Sequence, residues 1–398
     1  IAHAILREMT AMKKTTSNSI KRNLTMTLSL MMTATMLASC GSGYDGSESR
    51  KSGSYNNERT TAENYRYSNV TAGDTDGTAN IGGGYNTEEY NHLTENGYKL
   101  VSDEPFSTFS TDIDTASYTN VRRMINDGWE VDPDAVRTEE FINYFKYDYE
   151  KPTEGAVSIN TELSDCPWNS EAKLMLVGLQ AREAKVKDVP TNLVFLIDVS
   201  GSMEDEDKLP LVQQAFSMLA ENLGADDRVS IVTYAGSDSV VLEGESGDNS
   251  EEIVSALNSL SAGGSTAGAA GITTAYKLAE EYFIEDGNNR VILATDGDLN
   301  VGLSSEEELT DLISQKRDSG VYLSVLGFGS GNYKDNRLEA LADNGNGNYA
   351  YIDSVDEAKR VLVTEMSGTL FTVAKDAKVQ IEFNPENVSA YRLVGYEN

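Results

Sequence analysis

Residues 194–203 read VFLIDVSGSM, and this stretch decides the fold of the domain around it. The apolar run stops at Asp198, and Ser200 and Ser202 follow at alternate positions. Residues two apart point to the same side of an extended chain, so the three oxygen-bearing side chains are predicted to share one side. A turn would need one or two such residues. Three indicate that the end of a buried strand holds a ligand.

Strands and helices alternate from Asn192 onward. The predicted strands have continuous apolar faces, as parallel strands covered on both sides do; they are NLVFLIDVS, RVSIVTYA, NRVILATDG, VYLSVLGFG and YAYID. Amphipathic helices lie between them, and SVVLEGES is predicted to be an antiparallel edge strand. The alternation predicts an α/β fold with a doubly wound, mainly parallel sheet. A smaller α+β, β-rich region is expected to flank it.

Composition and pattern divide the chain into six segments. The strands after residue 371 are predicted to pair with strands at 156–180, which would make the α/β domain an insertion in a β-rich one. The predicted segments are 1–11, upstream readthrough that is not native; 12–40, a lipoprotein signal peptide; 41–103, a flexible low-complexity linker; 104–190, an α+β domain; 191–371, the α/β domain; and 372–398, the start of a truncated C-terminal β-rich domain.

The charge balance excludes several classes of partner. The chain has 64 acidic and 32 basic residues, for a net charge of −32. Such a surface would repel nucleic acid and anionic lipid, and it favours divalent metals or basic surfaces. The chain has two histidines, His3 and His92, and neither lies in the predicted core. A Ser-His-Asp site and a His-ligated zinc site are therefore not expected.

Cys40 lies at the end of a basic segment and an apolar run. Lysines and an arginine precede an apolar run from Leu24 to Ala38, which is too short for a membrane span. The sequence Leu37-Ala38-Ser39-Cys40 resembles a lipobox, in which the cysteine is lipidated. An ordinary signal peptide is the alternative. If Cys40 carries lipid, Cys166 has no partner within the chain and is predicted to be a small buried hydrophobic residue.

Three segments bring small oxygen ligands to one edge of the predicted sheet. In an open α/β sheet, ligands bind beyond the carboxyl ends of the strands. Asp198, with Ser200 and Ser202, ends one strand, and Asp296 ends another in ATDG. Thr266, in GGSTAGAAG, is predicted at the start of a helix. Magnesium prefers such hard oxygen ligands.

This pattern resembles the metal-ion-dependent adhesion site of the von Willebrand factor type A family. The resemblance implies a metal site at Asp198, Ser200, Ser202, Thr266 and Asp296, where the hydroxyls coordinate Mg²⁺ and the aspartates act directly or through water. Mn²⁺ is a possible substitute. Hydroxyl ligands leave the ion electrophilic, so the implied ligand is an acidic side chain of a protein partner.

Further motifs are similar to a bacterial lipoprotein subfamily with conserved domains on both sides of the type A domain. They span roughly residues 104–398 and include FSTFSTDIDTASYTNVRR, EEFINYF and NGNYAYID. The resemblance implies a lipid-anchored binding or adhesion protein of the bacterial cell envelope, at the outer membrane or cell surface. It does not imply an enzyme.

Two other functions are weighed against this one. A metal-dependent hydrolase of the haloacid dehalogenase type would need a carboxylate two residues after Asp198, where this chain has Ser200. No phosphate-binding loop is present, so no nucleotide is expected. The other alternative is an adaptor or scaffold for an envelope assembly.

Two acidic motifs have structural and metal-binding interpretations. In MEDEDK, an acidic first helical turn is favoured over an auxiliary Ca²⁺ site at Asp205 and Glu206. In DIDTASY, strand-end and capping roles are favoured for Asp112 and Asp114 over metal binding.

Overall fold

The predicted alternation of strands and helices is present in the computed structural model. It describes residues 3–10, 88–111, 113–182, 189–264, 268–297, 306–331, 333–365 and 377–396. The segment around Cys40 and residues Asp112 and Thr266 lie outside these ranges. The described residues belong to one compact unit. Among them, no helix is both long and apolar enough to span a membrane.

The strands fall into two larger sheets and one pair. Their bounds are β1 His3–Thr10, β2 Lys99–Leu100, β3 Phe106–Ser110, β4 Val157–Asp165, β5 Ala172–Ala181, β6 Thr191–Asp198, β7 Arg228–Tyr234, β8 Asp238–Ser246, β9 Asn288–Thr295, β10 Val321–Phe328, β11 Tyr349–Ile352, β12 Lys378–Glu382 and β13 Ala390–Tyr391.

The described helices lie mainly between the strands of the α/β domain. Their bounds are α1 Ala116–Asn126, α2 Thr138–Asn143, α3 Leu209–Ala220, α4 Ser250–Asn258, α5 Gly268–Glu281, α6 Glu306–Asp318, α7 Asp335–Asn344 and α8 Val355–Lys359. A π-helical turn, Arg360–Thr364, continues α8.

The central sheet has the order β11-β10-β9-β6-β7-β8. All neighbours are parallel except β7 and β8, so the antiparallel edge strand and the doubly wound α/β class are confirmed. Every residue of β6, β9 and β10 is buried. This burial explains their continuous apolar character, because helices cover both faces.

Alternate residues of β6 supply two separate cores. Leu193, Phe195 and Ile197 pack with α3, α4 and α8 on one face. Val194 and Leu196 pack with α5, α6 and α7 on the other. Apolar side chains on both faces fix the register of the strand. Its first polar residue after the core, Asp198, is therefore placed at the carboxyl edge of the sheet.

The flanking sheet has the order β2-β13-β1-β5-β4, and β12 pairs separately with β3. The C-terminal strands are predicted to pair with residues 156–180, and this prediction is wrong because they pair with other strands. β12 pairs antiparallel with β3, and β13 pairs with β1 and β2. The C-terminal side chains still share a core with the predicted strands, because Val379 and Ile381 pack in one cluster with Met175 and Val177.

Helix α1 joins the flanking region to the α/β domain. Arg122 donates from Nε to Asp353 Oδ2 at 2.7 Å and from Nη2 to Glu357 Oε2 at 3.0 Å. Thr119 Oγ1 donates to the Tyr351 carbonyl oxygen, and Asp114 Oδ1 accepts from Tyr349 N at 2.9 Å. Asp114 thus has a structural role at this junction.

Candidate metal centre

Asp198 is the last residue of β6 and is fully buried. Its Oδ1 accepts a hydrogen bond from Ser200 N at 2.9 Å. Its Oδ2 accepts from Thr295 Oγ1 at 3.1 Å, across the parallel pair of β6 and β9. These two bonds hold both carboxylate oxygens in place at the end of β6.

Ser200 and Ser202 lie together, but not through the extended alternation predicted from sequence. Ser200 is extended, with φ −62° and ψ 165°, and a 3₁₀ turn over Gly201–Glu204 follows it. The turn brings Ser202 Oγ to 3.0 Å from Ser200 Oγ. The predicted cluster therefore forms, because the turn curls the chain back over the strand end.

Asp296 follows β9 directly and is fully buried. Its Oδ2 accepts from Lys208 Nζ at 3.0 Å, and Lys208 Nζ also donates to the Ser202 carbonyl oxygen at 2.9 Å. Lys208 therefore links the turn after β6 to the end of β9. Two of the predicted segments therefore meet in one group of side chains at the carboxyl edge of the sheet, the rim, which is formed by Asp198, Ser200, Ser202 and Asp296.

The backbone also holds the segment before Thr266 against the rim. Gly263 N donates to the Val199 carbonyl oxygen at 2.8 Å, and Gly201 N donates to the Gly264 carbonyl oxygen at 3.2 Å. Thr266 itself lies outside the described residues, so its role as a ligand stays a prediction.

Burial raises the pKa of Asp198 to about 6. Hydrogen bonds from Ser200 and Thr295 oppose this rise, and the charge of Asp296 adds to it. Burial, together with the charge of Asp198, also raises the pKa of the Tyr234 hydroxyl. A buried carboxylate in this setting is stabilised by an added cation, because opposite charge favours the ionised form.

The acidic motif after the site differs from its predicted conformation. Helix α3 begins at Leu209 and has no acidic residue in its first turn, so the predicted acidic first turn of MEDEDK is wrong. Asp205 and Glu206 are exposed and precede the helix. Within the described ranges, no three His, Cys, Asp or Glu side chains come together as a metal-binding group. The Ca²⁺ site at Asp205 and Glu206 stays a prediction.

The donor set at the rim fits a hard divalent ion. Two buried carboxylates and two adjacent hydroxyls supply oxygen only, which suits Mg²⁺ or Mn²⁺ better than a soft metal. Asp198, Asp296 and Lys208 together carry one net negative charge, so a divalent cation would leave the group with one net positive charge. The rim could then attract an anionic ligand.

Sequence reasoning missed Lys208 and Thr295. Thr295 pairs with Asp198 because the register of β6 and β9 places Ile197 opposite Ala294. The sequence does carry a signal for Lys208. A lysine directly before a helix opposes the helix dipole, so it needs an anionic partner. That partner is Asp296.

Family models match three parts of the chain. A model described as von Willebrand factor matches residues 84–176, and one described as von Willebrand factor type A domain matches residues 192–364. A third, described as the C-terminal part of the uncharacterized protein YfbK, matches residues 368–398.

Curated relatives include bacterial and vertebrate proteins. The uncharacterized protein YfbK of Escherichia coli is 44% identical over 320 residues, which are 78% of this chain and 56% of the relative. Inter-alpha-trypsin inhibitor heavy chain H3 of Homo sapiens is 31% identical over 210 residues, which are 50% of this chain and 23% of the relative. The chain spans about half the length of YfbK, and less of the heavy chain.

Solved structures also resemble part of the chain. A von Willebrand factor type A protein from Catenulispora acidiphila has 17% identity and a TM-score of 0.40, covering 56% of this chain and 51% of that one. The family model matches residues 192–364, which span the central sheet and its covering helices. This part of the chain is a von Willebrand factor type A domain.

Proposed function

We propose that the chain is a binding protein that holds Mg²⁺ at the rim and captures an acidic side chain of a protein partner. The observation that carries this proposal is the convergence of Asp198, Ser200, Ser202 and Asp296 at the end of two adjacent parallel strands. Thr266 is proposed as a further ligand, because the backbone bonds of Gly263 and Gly264 hold the preceding segment against the rim. Mn²⁺ is expected to substitute for Mg²⁺.

The chemistry of the donor set supports binding more than catalysis. Serine hydroxyls do not neutralise the ion, so the ion keeps an attraction for an external carboxylate. The position two residues after Asp198, where a phosphatase of the haloacid dehalogenase type would have its second carboxylate, is occupied by Ser200. We therefore propose a non-enzymatic role in protein interaction or adhesion.

The proposed location is the bacterial cell envelope. It rests on the apolar run before Cys40 and on the lipobox-like sequence at Cys40. A lipid on Cys40 would anchor the chain at the outer membrane or the cell surface. Globomycin treatment and mass spectrometry of the mature N-terminus would test it, and a mature protein without lipid at Cys40 would contradict it.

Calorimetric titration of the full chain with MgCl₂ and with MnCl₂ tests the metal site. We expect saturable binding of one ion, weakened about a hundredfold in Asp198→Asn and at least tenfold in Ser202→Ala, because loss of even an outer-shell partner of a metal ligand weakens binding by about 10- to 100-fold. Matched controls are Asp165→Asn, at the exposed end of β4, and Ser217→Ala, whose hydroxyl donates within α3. These controls are expected to bind as wild type does.

A pull-down from envelope extract tests the partner. Wild type is expected to retain a protein in MgCl₂ and to release it in EDTA, and Asp198→Asn is expected to retain none. Absence of metal binding in wild type would overturn the proposal. Equal retention by wild type and variant, with and without EDTA, would contradict the metal-dependent mechanism.

A further inference from the structure

Lys208 is a buried lysine whose ammonium group lies inside the metal rim. Its side chain is 6% exposed, and its Nζ contacts Asp296 Oδ2 at 3.0 Å. The second contact, to the Ser202 carbonyl oxygen, comes from the 3₁₀ turn that carries the site serines. A buried lysine needs such partners, because an uncompensated ammonium is costly away from water.

The end of β10 is shaped around the stem of Lys208. Gly329 follows that strand with φ +74°, and a Cβ at this position would overlap Cε, Cγ and Cδ of Lys208. The Gly329 carbonyl oxygen is in turn bonded to the Tyr351 hydroxyl at 2.7 Å. The backbone at Gly329, held in place by Tyr351, thus lies against the stem of Lys208, and the ammonium at the end of that stem donates to Asp296.

The ammonium and a rim-bound metal ion would act on the same carboxylate. Because Lys208 Nζ donates to Oδ2, a divalent ion that bound Asp296 would share this carboxylate with the ammonium. The ammonium would also repel the ion directly. Conversely, a protein without metal would contain two buried carboxylates, and Lys208 neutralises one of them.

We propose that Lys208 is a built-in cation of the metal centre, which stabilises the rim when no metal is bound and lowers the affinity for Mg²⁺ by sharing Asp296 with it. This inference rests on the proposed metal-binding function. It makes Lys208 a positioning residue, because it acts on the ion through Asp296. Binding of the ion is then readily reversible, and the fold does not depend on it.

Three substitutions separate charge from hydrogen bonding in the full chain. Lys208→Met removes both, Lys208→Gln keeps a donor without charge, and Lys208→Arg keeps the charge. Titration with MgCl₂ alone is expected to show about tenfold tighter binding in the Met and Gln variants, since one charge near a divalent ion is removed. The Arg variant is expected to remain close to wild type.

Thermal unfolding in EDTA and in saturating MgCl₂ supplies the second readout. The Met and Gln variants are expected to melt below wild type in EDTA, and MgCl₂ is expected to raise their midpoint by about 4 °C more than it raises that of wild type. A merely structural lysine would lower both midpoints equally. If Lys208→Met does not fold in either buffer, Lys208→Gln decides.

The outcomes distinguish this inference from the proposed function. If wild type binds neither Mg²⁺ nor Mn²⁺, the proposed function fails and the inference fails with it. If wild type binds Mg²⁺ and the Met and Gln variants bind it with the same affinity and the same rise in midpoint, the inference alone is overturned. Tighter binding in both variants, reversed in Lys208→Arg, supports it.

Discussion

The rim, where we propose that a metal ion binds, and the junction at α1 both bury carboxylates, but these carboxylates accept hydrogen bonds from different kinds of group. At the junction, Glu357 accepts from Arg360 Nε at Oε1 and from Arg122 Nη2 at Oε2. Asp353 accepts from Arg122 at both oxygens and from Ser354. At the rim, Asp198 accepts from a backbone amide and a hydroxyl, and its contacts include no cationic side chain among the described residues.

The different hydrogen-bond donors indicate a structural role for the junction and a ligand-binding role for the rim. Forked guanidinium groups fill the lone pairs of the junction carboxylates, which fixes geometry and leaves little capacity for a further ligand. The rim has small hydroxyl and carboxylate oxygens and one ammonium, so it keeps capacity for a divalent ion. Substitution in the saturated ion network of the junction is therefore expected to destabilise the fold, whereas the rim is expected to tolerate neutralisation of Asp198.

The largest expected effect is at the junction. Arg122→Met leaves Asp353 and Glu357, 7% and 2% exposed, without this cation, so we expect a loss of about 3 kcal/mol in the free energy of unfolding. Urea unfolding measures it. Lys173→Met, at an exposed pair with Asp165, is the control and should cost less than about 1 kcal/mol.

Metal binding should not restore the stability that Arg122→Met loses at the junction. Calorimetry should give Arg122→Met the Mg²⁺ affinity of wild type, because the two regions satisfy their carboxylates separately. A loss below about 1 kcal/mol in the free energy of unfolding of Arg122→Met would show that Asp353 and Glu357 do not depend on Arg122 for neutralisation.

Neutralising Asp198 in the rim should raise the free energy of unfolding, whereas the Arg122 substitution at the junction lowers it. Asp198 is ionised at a cost in the folded protein, so Asp198→Asn is expected to be about 1 kcal/mol more stable than wild type in EDTA. It should gain no stability from MgCl₂. Unfolding in the two buffers measures both effects. If Asp198→Asn is less stable than wild type in EDTA, the ionised Asp198 stabilises the fold, as the carboxylates of the junction do.

The pH dependence of stability sharpens this contrast. The pKa of Asp198 is raised from 3.8 to about 6 in the folded protein, so the folded state holds this proton more tightly than the unfolded state does. Its contribution to stability is fully present below pH 3.8 and is lost as pH rises through about 6. Mg²⁺ affinity should change in the opposite direction, rising over the same interval as the carboxylate ionises.

Unfolding midpoints in EDTA at pH 5 and pH 7, with Asp198→Asn as the reference, isolate this contribution from the many other acids. The difference between wild type and variant should favour wild type more at the lower pH. An equal difference at both values would mean that Asp198 does not titrate in this interval.

The parts of the molecule that sequence predicted best depend on local pattern. The buried strand 191–198 and the edge strand at 238–246 follow from apolar runs and turn residues, and both are confirmed. The convergence of Asp198 and Asp296 follows from the rule that parallel strands end at one edge, and the register of β6 and β9 places them there.

The parts that sequence missed depend on contacts between distant segments. The pairing of β12 with β3 joins residues more than 260 positions apart, and no local pattern specifies it. The 3₁₀ turn at Gly201–Glu204 reflects the packing of Met203, which is fully buried. Lys208 belongs to the site only because Gly329, from another strand end, leaves room for its stem.

The smallest expected effect comes from the space that Gly329 leaves for the stem of Lys208. Alanine substitutions at two glycines of the same loop test it. Gly329 and Gly331 both have positive φ, +74° and +95°, so alanine at either should cost about 1 kcal/mol in backbone strain. Only at Gly329 would the new Cβ meet Lys208; at Gly331 it would meet no atom within 4 Å.

Gly329→Ala should therefore displace the ammonium from Asp296 and tighten Mg²⁺ binding a few fold, about what a partial loss of one charge supplies. Gly331→Ala should lose only the stability that backbone strain costs, and it should keep the wild-type affinity. Equal affinities in the two variants would mean that the position of Lys208 does not tune the rim, and the contrast with the junction would then rest on Asp198 alone.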